Sequence, residues 1–420
     1  MKYLLLFLFM IPMLALLWGQ DANYEESQVP AYVLPSIFSE GSLANRSVLD
    51  WEKRRAEILT YFEQEVYGVT PPMDFDISFF LKDSSVCMGG KGIRKQVQLV
   101  LSRADTSLAI DLLLYLPTGG KSPVPAFLGM NFHGNHTIQA DPEIFLPSSW
   151  VPNKEAWGIT DHIPLEEARG ASQSRWPVEM ILDRGYALAV LYCGDLDPDY
   201  DDGFQNGVHS LFPEMHEGDR RATAWGSIGA WAWGLSRAMD YLVEDTAIDG
   251  RRVAVIGHSR LGKTALWAGV QDERFAMVVS NNSGCGGAAL FRRKFGETVR
   301  HINTRFPHWF CDNFNAYNDQ EDQLPIDQHM LLALVAPRLL YVASATKDQW
   351  ADPKGEYLAT VEASRVYSTI YNRPGIEGAM PDSQFVRRGD KVAYHLREGK
   401  HDITAFDWEN YLNFADLHWK

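Results

Sequence analysis

Two kinds of apolar pattern follow one another along the chain, and the change between them predicts its architecture. The segments Ile77–Leu81, Lys95–Leu101 and Leu108–Tyr115 alternate apolar and polar positions, as antiparallel strands with one solvated face do. Later segments are continuous apolar runs, which are typical of parallel strands covered on both faces. These runs are Val124–Met130, Ala187–Leu191, Val253–Ile256, Met277–Val279 and Leu339–Ala343.

Helical periodicity appears between these strands. The stretch Leu49–Tyr67 predicts an amphipathic helix, and Trp225–Val243 predicts a helix that leads into the strand at Val253. This alternation predicts a doubly wound, mostly parallel α/β sheet in a three-layer sandwich, with an antiparallel N-terminal part. From about Ser148 to Trp176 the chain has loop character, and we expect this insertion to border a substrate cleft.

The N-terminus carries the pattern of an export signal. Met1-Lys2-Tyr3 precedes an apolar run from Leu4 to Trp18, which is short for a membrane span and is followed by polar residues. We therefore expect a signal peptide over residues 1–20 and a single catalytic domain over residues 21–420. We expect the mature protein to be a secreted or periplasmic monomer that does not associate with a membrane.

Composition restricts the partners and metal sites that the chain can have. The 420 residues carry a formal net charge of −15, which argues against a nucleic-acid partner. Cysteines occur at positions 87, 193, 285 and 311, without the spacing of a metal site. We expect the four cysteines to be buried thiols, and a Cys285–Cys311 disulfide, which export would permit, is the alternative. We expect neither a metal nor a cofactor.

The stretch from Gly257 to Lys263 predicts a nucleophile. Ser259 stands between glycines at positions 257 and 262, where a buried strand passes into a helix. This is the pattern of a nucleophile elbow, in which a sharp turn exposes the serine hydroxyl. Such a serine needs a base, an orienting acid and an oxyanion hole.

The expected chain order, serine then acid then histidine, indicates the partners of Ser259. His401, in a late glycine-containing loop, is the predicted base, and His395 and His418 are weaker candidates. Asp348 follows the strand that ends at residue 343, where the orienting acid of an α/β-hydrolase usually lies. Asp352 is the alternative acid, although it also fits a helix cap.

Two segments are candidates for the oxyanion hole. The backbone N–H of Arg260 directly follows the nucleophile, and the loop Asn131–His136 follows a predicted strand. The guanidinium of Arg260 is a candidate for charge-assisted donation to a developing oxyanion, with a purely structural salt bridge as the alternative.

Several stretches together resemble one enzyme family. They are Gly257–Lys263, Ser283–Ala289, Phe306–Phe310, Trp350–Glu356 and the Lys400-His401 loop. In this order they are similar to the bacterial glucuronoyl esterases of carbohydrate esterase family 15, over roughly residues 30–415. The resemblance implies an α/β-hydrolase fold and a serine esterase without a metal.

The substrate implied by this resemblance is an ester between a lignin alcohol and a (4-O-methyl-)glucuronate side chain of glucuronoxylan. Ser259 would attack the uronate carbonyl, His401 would shuttle the proton and Arg260 would stabilise the oxyanion. The residues that would bind the sugar are Lys263, Glu297, Trp350 and Arg305.

The chain departs from the family pattern at Asn282. Many members carry the catalytic glutamate there, and asparagine cannot stabilise an imidazolium as a carboxylate does. Because some bacterial members place the acid after the later strand, we expect Asp348 to take this role. The cysteines that fungal members pair beside the nucleophile and the histidine are replaced by His258 and Asp402.

Two other functions fit parts of the sequence. One is an esterase that removes acetyl or feruloyl groups from xylan, and it would not need sugar-hydroxyl partners such as Lys263 and Glu297 beside the serine. The other is a catalytically weakened carbohydrate-binding homologue, suggested by Asn282. The complete set of Ser259, Asp348 and His401 argues against the second.

Overall fold

The strands of the computed structural model form one twisted, mostly parallel sheet. The structure describes residues 22–38, 47–120 and 122–420, so the predicted signal peptide lies outside the described residues. Within them, ten strands pair in the order β1-β2-β3-β5-β4-β6-β7-β8-β10-β9. The strands are β1 Asp76–Cys87, β2 Gly92–Arg103, β3 Thr106–Pro117, β4 Val124–Asn131, β5 Ala187–Tyr192, β6 Ile248–His258, β7 Met277–Asn281, β8 Leu339–Ala345, β9 Val386–Arg388 and β10 Val392–Arg397.

The two predicted parts of the sheet are confirmed. Strands β1, β2 and β3 pair antiparallel, and β3 joins β5 antiparallel. From β5 through β4, β6, β7 and β8 to β10 all neighbours are parallel, and β9 pairs antiparallel at the far edge. The alternating strands thus lie in the antiparallel part, and the continuous apolar strands lie in the parallel centre.

Helices cover both faces of the parallel centre. They are α1 Val48–Phe62 (continued by a π-helical turn, Glu63–Tyr67), α2 Val178–Asp183, α3 Cys193–Leu196, α4 Ser227–Glu244, α5 Arg260–Gln271, α6 Val299–Arg305, α7 Gln328–Ala333, α8 Pro353–Tyr371 and α9 Ala405–Trp419. Along β6, Val253 and Val255 pack into one buried cluster with helices α4, α5, α7 and α8. Ala254 and Ile256 point to a second cluster with α2 and α9. Because successive strand residues face opposite sides, these clusters are the two interfaces of a three-layer α/β-hydrolase fold, as predicted.

The sheet edge, the insertion and the cysteines were predicted with different success. Strands β9 and β10 were not predicted, and the insertion contains only short 3-10 turns and irregular chain. All four cysteines carry free thiols, three of them buried, so the alternative Cys285–Cys311 disulfide is absent. Among the described residues, no helix combines the length and the apolar character that crossing a bilayer requires.

Candidate active site

Ser259 forms the sharp turn between β6 and α5. The strand ends at residue 258 and the helix begins at residue 260, so Ser259 makes the turn alone, with φ 59° and ψ −132°. This left-handed backbone is strained for a residue with a side chain, as at a nucleophile elbow. The turn requires Gly257, because a Cβ there would lie 1.8 Å from the carbonyl oxygen of Leu261.

The imidazole of His401 contacts the carboxylate of Asp348. Nδ1 of His401 lies 2.6 Å from Oδ2 of Asp348, which is buried, whereas the His401 side chain is 42% exposed. The His401 ring lies 4.5 Å, between centroids, from the ring of His258, the residue before the nucleophile. A neutral ring held in this way carries its proton on Nδ1 and presents the lone pair of Nε2, as a general base requires.

The other candidates for base and acid have different partners. Nε2 of His395 is 2.8 Å from Oδ1 of Asp407 in the interior, and Nδ1 of His418 is 3.3 Å from Nζ of Lys391. Asp352 caps the start of α8 and forms a 2.8 Å ion pair with a buried arginine. The structure therefore pairs His401 with Asp348, whereas His395, His418 and Asp352 are each paired with other residues.

The guanidinium of Arg260 is held between a ring and a carboxylate. Its Cζ lies 4.5 Å from the centroid of Phe132, and its Nε lies 2.6 Å from Oδ2 of Asp199. Asp199 also accepts a 2.7 Å hydrogen bond from Nε1 of Trp309, and Nε2 of His308 lies 3.1 Å away. Burial opposes ionisation of Asp199, but Arg260 and these two donors hold its pKa below the ordinary value.

The loop Asn131–His136 contacts Arg260 and uses two of its N–H groups internally. The backbone N–H groups of His133 and Gly134 donate to Oδ1 of Asn131, at 3.1 and 2.7 Å. These two groups are engaged within the loop. The loop also supplies the Phe132 ring that packs on the guanidinium, and it stays a candidate for the oxyanion hole.

Three of the four predicted sugar-binding residues, Lys263, Trp350 and Arg305, act on the fourth, the buried carboxyl of Glu297. Nζ of Lys263 donates to the carbonyl of Ser283 at 2.5 Å and lies 3.8 Å from Oε2 of Glu297, and the two charged side chains are 5% and 7% exposed. Burial raises the pKa of Glu297, although Lys263, a hydrogen bond from Trp350 and the charge of Arg305 oppose this effect. Trp350 is half-buried and Arg305 is exposed. Lys263 is thus a buried lysine and not a surface lysine.

The insertion over residues 148–176 borders this site, as expected. The ring of Trp157 lies 4.7 Å from that of His133, and the ring of Trp150 lies 4.9 Å from that of Tyr200. His133 and Tyr200 each follow a residue that contacts the Arg260 guanidinium.

Comparisons with known proteins agree with this geometry. A family model of the fungal glucuronyl esterases matches residues 203–371. A carbohydrate esterase of an unknown prokaryotic organism is 48% identical over 399 residues, which cover 94% of this chain and 92% of that protein. The solved structure of a promiscuous esterase of carbohydrate esterase family 15, from a marine bacterial metagenome, is also 48% identical. It superimposes with a TM-score of 0.88 over 94% of this chain and 100% of the other.

The chain belongs to carbohydrate esterase family 15. A second solved member of the family, the glucuronoyl esterase of Solibacter usitatus, is 45% identical and has a TM-score of 0.86, over 94% of this chain and 100% of its own. The family and the enzyme class predicted from the sequence, a carboxylic ester hydrolase, are confirmed.

Some residues of this family 15 site were not singled out from the sequence. Asp199 and Trp309 reach Arg260 from the segments after β5 and before α7, far from the elbow along the chain. Trp309 lies in Phe306–Phe310, one of the stretches that resemble the family, and this resemblance could have indicated it. Asp199 is one of several carboxylates in an acidic loop, and nothing in the local sequence distinguishes it.

Proposed function

We propose that the chain hydrolyses esters that join lignin alcohols to (4-O-methyl-)glucuronate side chains of glucuronoxylan. The observation that carries the proposal is the position of Arg260 and Lys263 on α5, which begins directly after Ser259. Residues three apart on a helix lie on one side of it. An oxyanion donor and a charged partner for sugar hydroxyls therefore stand beside the same nucleophile. Membership of the family that includes the Solibacter usitatus glucuronoyl esterase supports this substrate.

In the acylation step, Oγ of Ser259 attacks the uronate carbonyl while Nε2 of His401 takes the hydroxyl proton. The negative charge that develops on the carbonyl oxygen is stabilised by the backbone N–H and the guanidinium of Arg260. The imidazolium then passes its proton to the departing alcohol, and the uronoyl group remains on Ser259. Because Nε of Arg260 lies 2.6 Å from Oδ2 of Asp199, the mechanism assigns the donation to the oxyanion to the terminal nitrogens.

In the deacylation step, water attacks the acyl-enzyme and His401 again acts as base, which releases the free uronate. Asp348 orients Nδ1 of His401 and stabilises the imidazolium in both steps. Asn282 supplies no charge, so this mechanism has Asp348 as its acid.

The substrate is tested by comparing two ester types with the parent protein and with Ser259→Ala. We expect the parent to hydrolyse a benzyl ester of glucuronate much faster than it deacetylates acetylated xylan, and Ser259→Ala to do neither. Clear deacetylation without turnover of the uronate ester would contradict the proposal and favour the acetyl or feruloyl xylan esterase. Sugar binding without turnover of either ester would favour the weakened binding homologue.

We also propose that the protein is exported through cleavage near residue 20 and acts outside the cytoplasm as a monomer. The basic start and apolar run of residues 1–18 support export. N-terminal sequencing of protein recovered from the periplasm and the medium tests this, and an intact residue 1 in exported protein would contradict it. Light scattering during size-exclusion chromatography tests the monomer.

A further inference from the structure

Asn282 lies against the acid of the site. Its Nδ2 donates to Oδ2 of Asp348 at 2.7 Å, and this same oxygen is the one that contacts Nδ1 of His401. The amide must present its NH₂ group here, since its own oxygen would face a carboxylate oxygen in the opposite orientation. Asn282 is 1% exposed.

The backbone around Asn282 is held from two sides. Its N–H donates to the carbonyl of Ala343 at the end of β8, at 2.7 Å. The next two N–H groups, of Ser283 and Gly284, both donate to Oε1 of Glu356 on α8, at 2.8 and 2.9 Å. Asn282 itself has φ 48°, a left-handed conformation that asparagine tolerates better than most residues. The amide is thus fixed in place before any substrate arrives.

We propose that Asn282 is a positioning residue, whose fixed amide holds the Asp348 carboxylate in the orientation that meets His401. This inference rests on the proposed role of Asp348 as the acid. A hydrogen bond to the charged form of a carboxylate favours that form, and a donor on the shared oxygen restricts its rotation. A second carboxylate at position 282 would instead lie within hydrogen-bond distance of the first, and the two would compete for one proton.

Other ionisable groups surround this pair. Burial raises the pKa of Glu356 to about 8, so this neighbour adds little negative charge near neutral pH. Other charged or titratable groups near the pair include His258 at the end of β6, Glu297 before α6, Arg397 at the end of β10, Arg175 with its partner Asp402, and the chain neighbours Lys347 and Lys400. These groups are common to the parent and to variants at position 282, so a difference between their pH profiles reports on residue 282.

The first test is Asn282→Asp, which keeps the side-chain shape and suits a left-handed backbone. At pH values where both carboxyls are ionised, the second one adds negative charge near His401 and favours the protonated imidazole. We expect the acidic limb of kcat/KM for the glucuronate benzyl ester to move upward by about one pH unit or more. The matched control is Asn372→Asp, the same change at an exposed left-handed position (φ 52°) at the end of α8, which should leave the profile unchanged.

The second test is Asn282→Gly, which removes the amide and accommodates the positive φ. We expect kcat to fall about 10-fold with little change in KM, because one hydrogen bond to a charged group is lost. An unshifted profile for Asn282→Asp together with a parental kcat for Asn282→Gly would overturn the inference. If Asn282→Gly does not fold, the pH profile of Asn282→Asp decides alone.

An Asp348→Asn variant separates this inference from the proposed function. If Asp348→Asn is strongly impaired while both variants at position 282 behave like the parent, the acid assignment holds and the role of Asn282 is wrong. If Asp348→Asn keeps nearly full activity, the acid assignment itself is wrong, and the inference falls with it.

Discussion

At the scale of single residues, neighbouring side chains hold Arg260, His401 and Asp348 of the candidate site in place. Ser259, His401 and Asp348 were identified from the sequence because each follows a recognisable strand or lies in a glycine-containing loop. Asp199 was not, because its pairing with Arg260 is a tertiary contact between segments about 60 residues apart along the chain. Local pattern therefore indicated the proposed reacting groups, and tertiary packing supplied the residues that contact them.

Replacing the partner of Arg260 should weaken catalysis more than binding. Asp199→Asn keeps an acceptor for Trp309 and removes the charge that fixes Nε of Arg260. In the proposed mechanism the guanidinium acts on charge that develops only in the transition state, so we expect kcat on the glucuronate benzyl ester to fall about 10- to 100-fold with little change in KM. Steady-state kinetics test this, with the nearby exposed Asp201→Asn as control. A parental kcat for Asp199→Asn would contradict the role of this ion pair.

Removing the buried lysine should affect only substrates that carry a sugar. A lost hydrogen bond to a charged group costs about 1.5–3 kcal/mol, so Lys263→Met should raise KM for the glucuronate benzyl ester by about 10- to 100-fold. Hydrolysis of p-nitrophenyl acetate, which has no sugar hydroxyls, should be unchanged. The control is Lys347→Met, at a lysine whose side chain is 62% exposed. Equal losses on both substrates would show a structural role for Lys263.

At the scale of elements, the apolar runs predicted the parallel strands, but not their full lengths or the sheet edge. Strand β6 begins at Ile248, five residues before the predicted start, because its polar first part continues the strand beyond the buried centre. Strand β9 has three exposed residues and no apolar pattern to detect. Strand β10 includes His395 and Arg397, which are buried through pairing with Asp407, so its burial does not appear as an apolar run.

The elbow depends on a glycine at position 257. In Gly257→Ala the new methyl group would lie 1.8 Å from a backbone oxygen, which no side-chain movement relieves. We expect a loss of more than about 4 kcal/mol in the free energy of unfolding, or no soluble protein. Thermal melting and soluble yield measure this against Gly119→Ala, where no atom lies within 4 Å of the new methyl group. Parental stability of Gly257→Ala would contradict the elbow geometry.

At the scale of the whole molecule, the sheet gathers the site at one edge. The parallel strands β4 to β8 and β10 deliver their side chains just after their carboxyl ends, where ligands bind in open α/β sheets. These side chains are Phe132 after β4, Asp199 after β5, Ser259 after β6, Asn282 after β7, Asp348 after β8 and His401 after β10. The sequence indicated Ser259 and Asp348 because each follows a recognisable strand, and His401 because it lies in a late glycine-containing loop. The distances between these loops came only from the structure.

The buried carboxyl under this edge should make stability depend on pH. Burial raises the pKa of Glu356 from its ordinary 4.5 to about 8 in the folded protein, so the unfolded chain releases this proton first as pH rises. The contribution of Glu356 to the free energy of unfolding therefore falls by at most about 1.4 kcal/mol per pH unit between about pH 4.5 and 8. Above that range it is constant.

Glu356→Gln tests this, because the amide resembles the protonated acid and does not titrate. Urea unfolding at pH 5, 6.5 and 8 should show a flatter decline for Glu356→Gln than for the parent. Glu362→Gln on the same helix, at a side chain 34% exposed, is the control. Equal slopes for the parent and Glu356→Gln would contradict the prediction.

Two variants in one loop test whether Ser259 hydrolyses a uronate ester through His401 and Asp348. The measurement is kcat on the glucuronate benzyl ester for Asp348→Asn and Asp352→Asn. We expect Asp348→Asn to lose about 10³- to 10⁴-fold in kcat, because His401 loses the carboxylate that sets its tautomer and stabilises its charge. Asp352→Asn should keep kcat within a few-fold while it melts at a lower temperature, because it weakens a helix cap and the ion pair with Arg293. Nearly full activity of Asp348→Asn together with an inactive but folded Asp352→Asn would contradict the account.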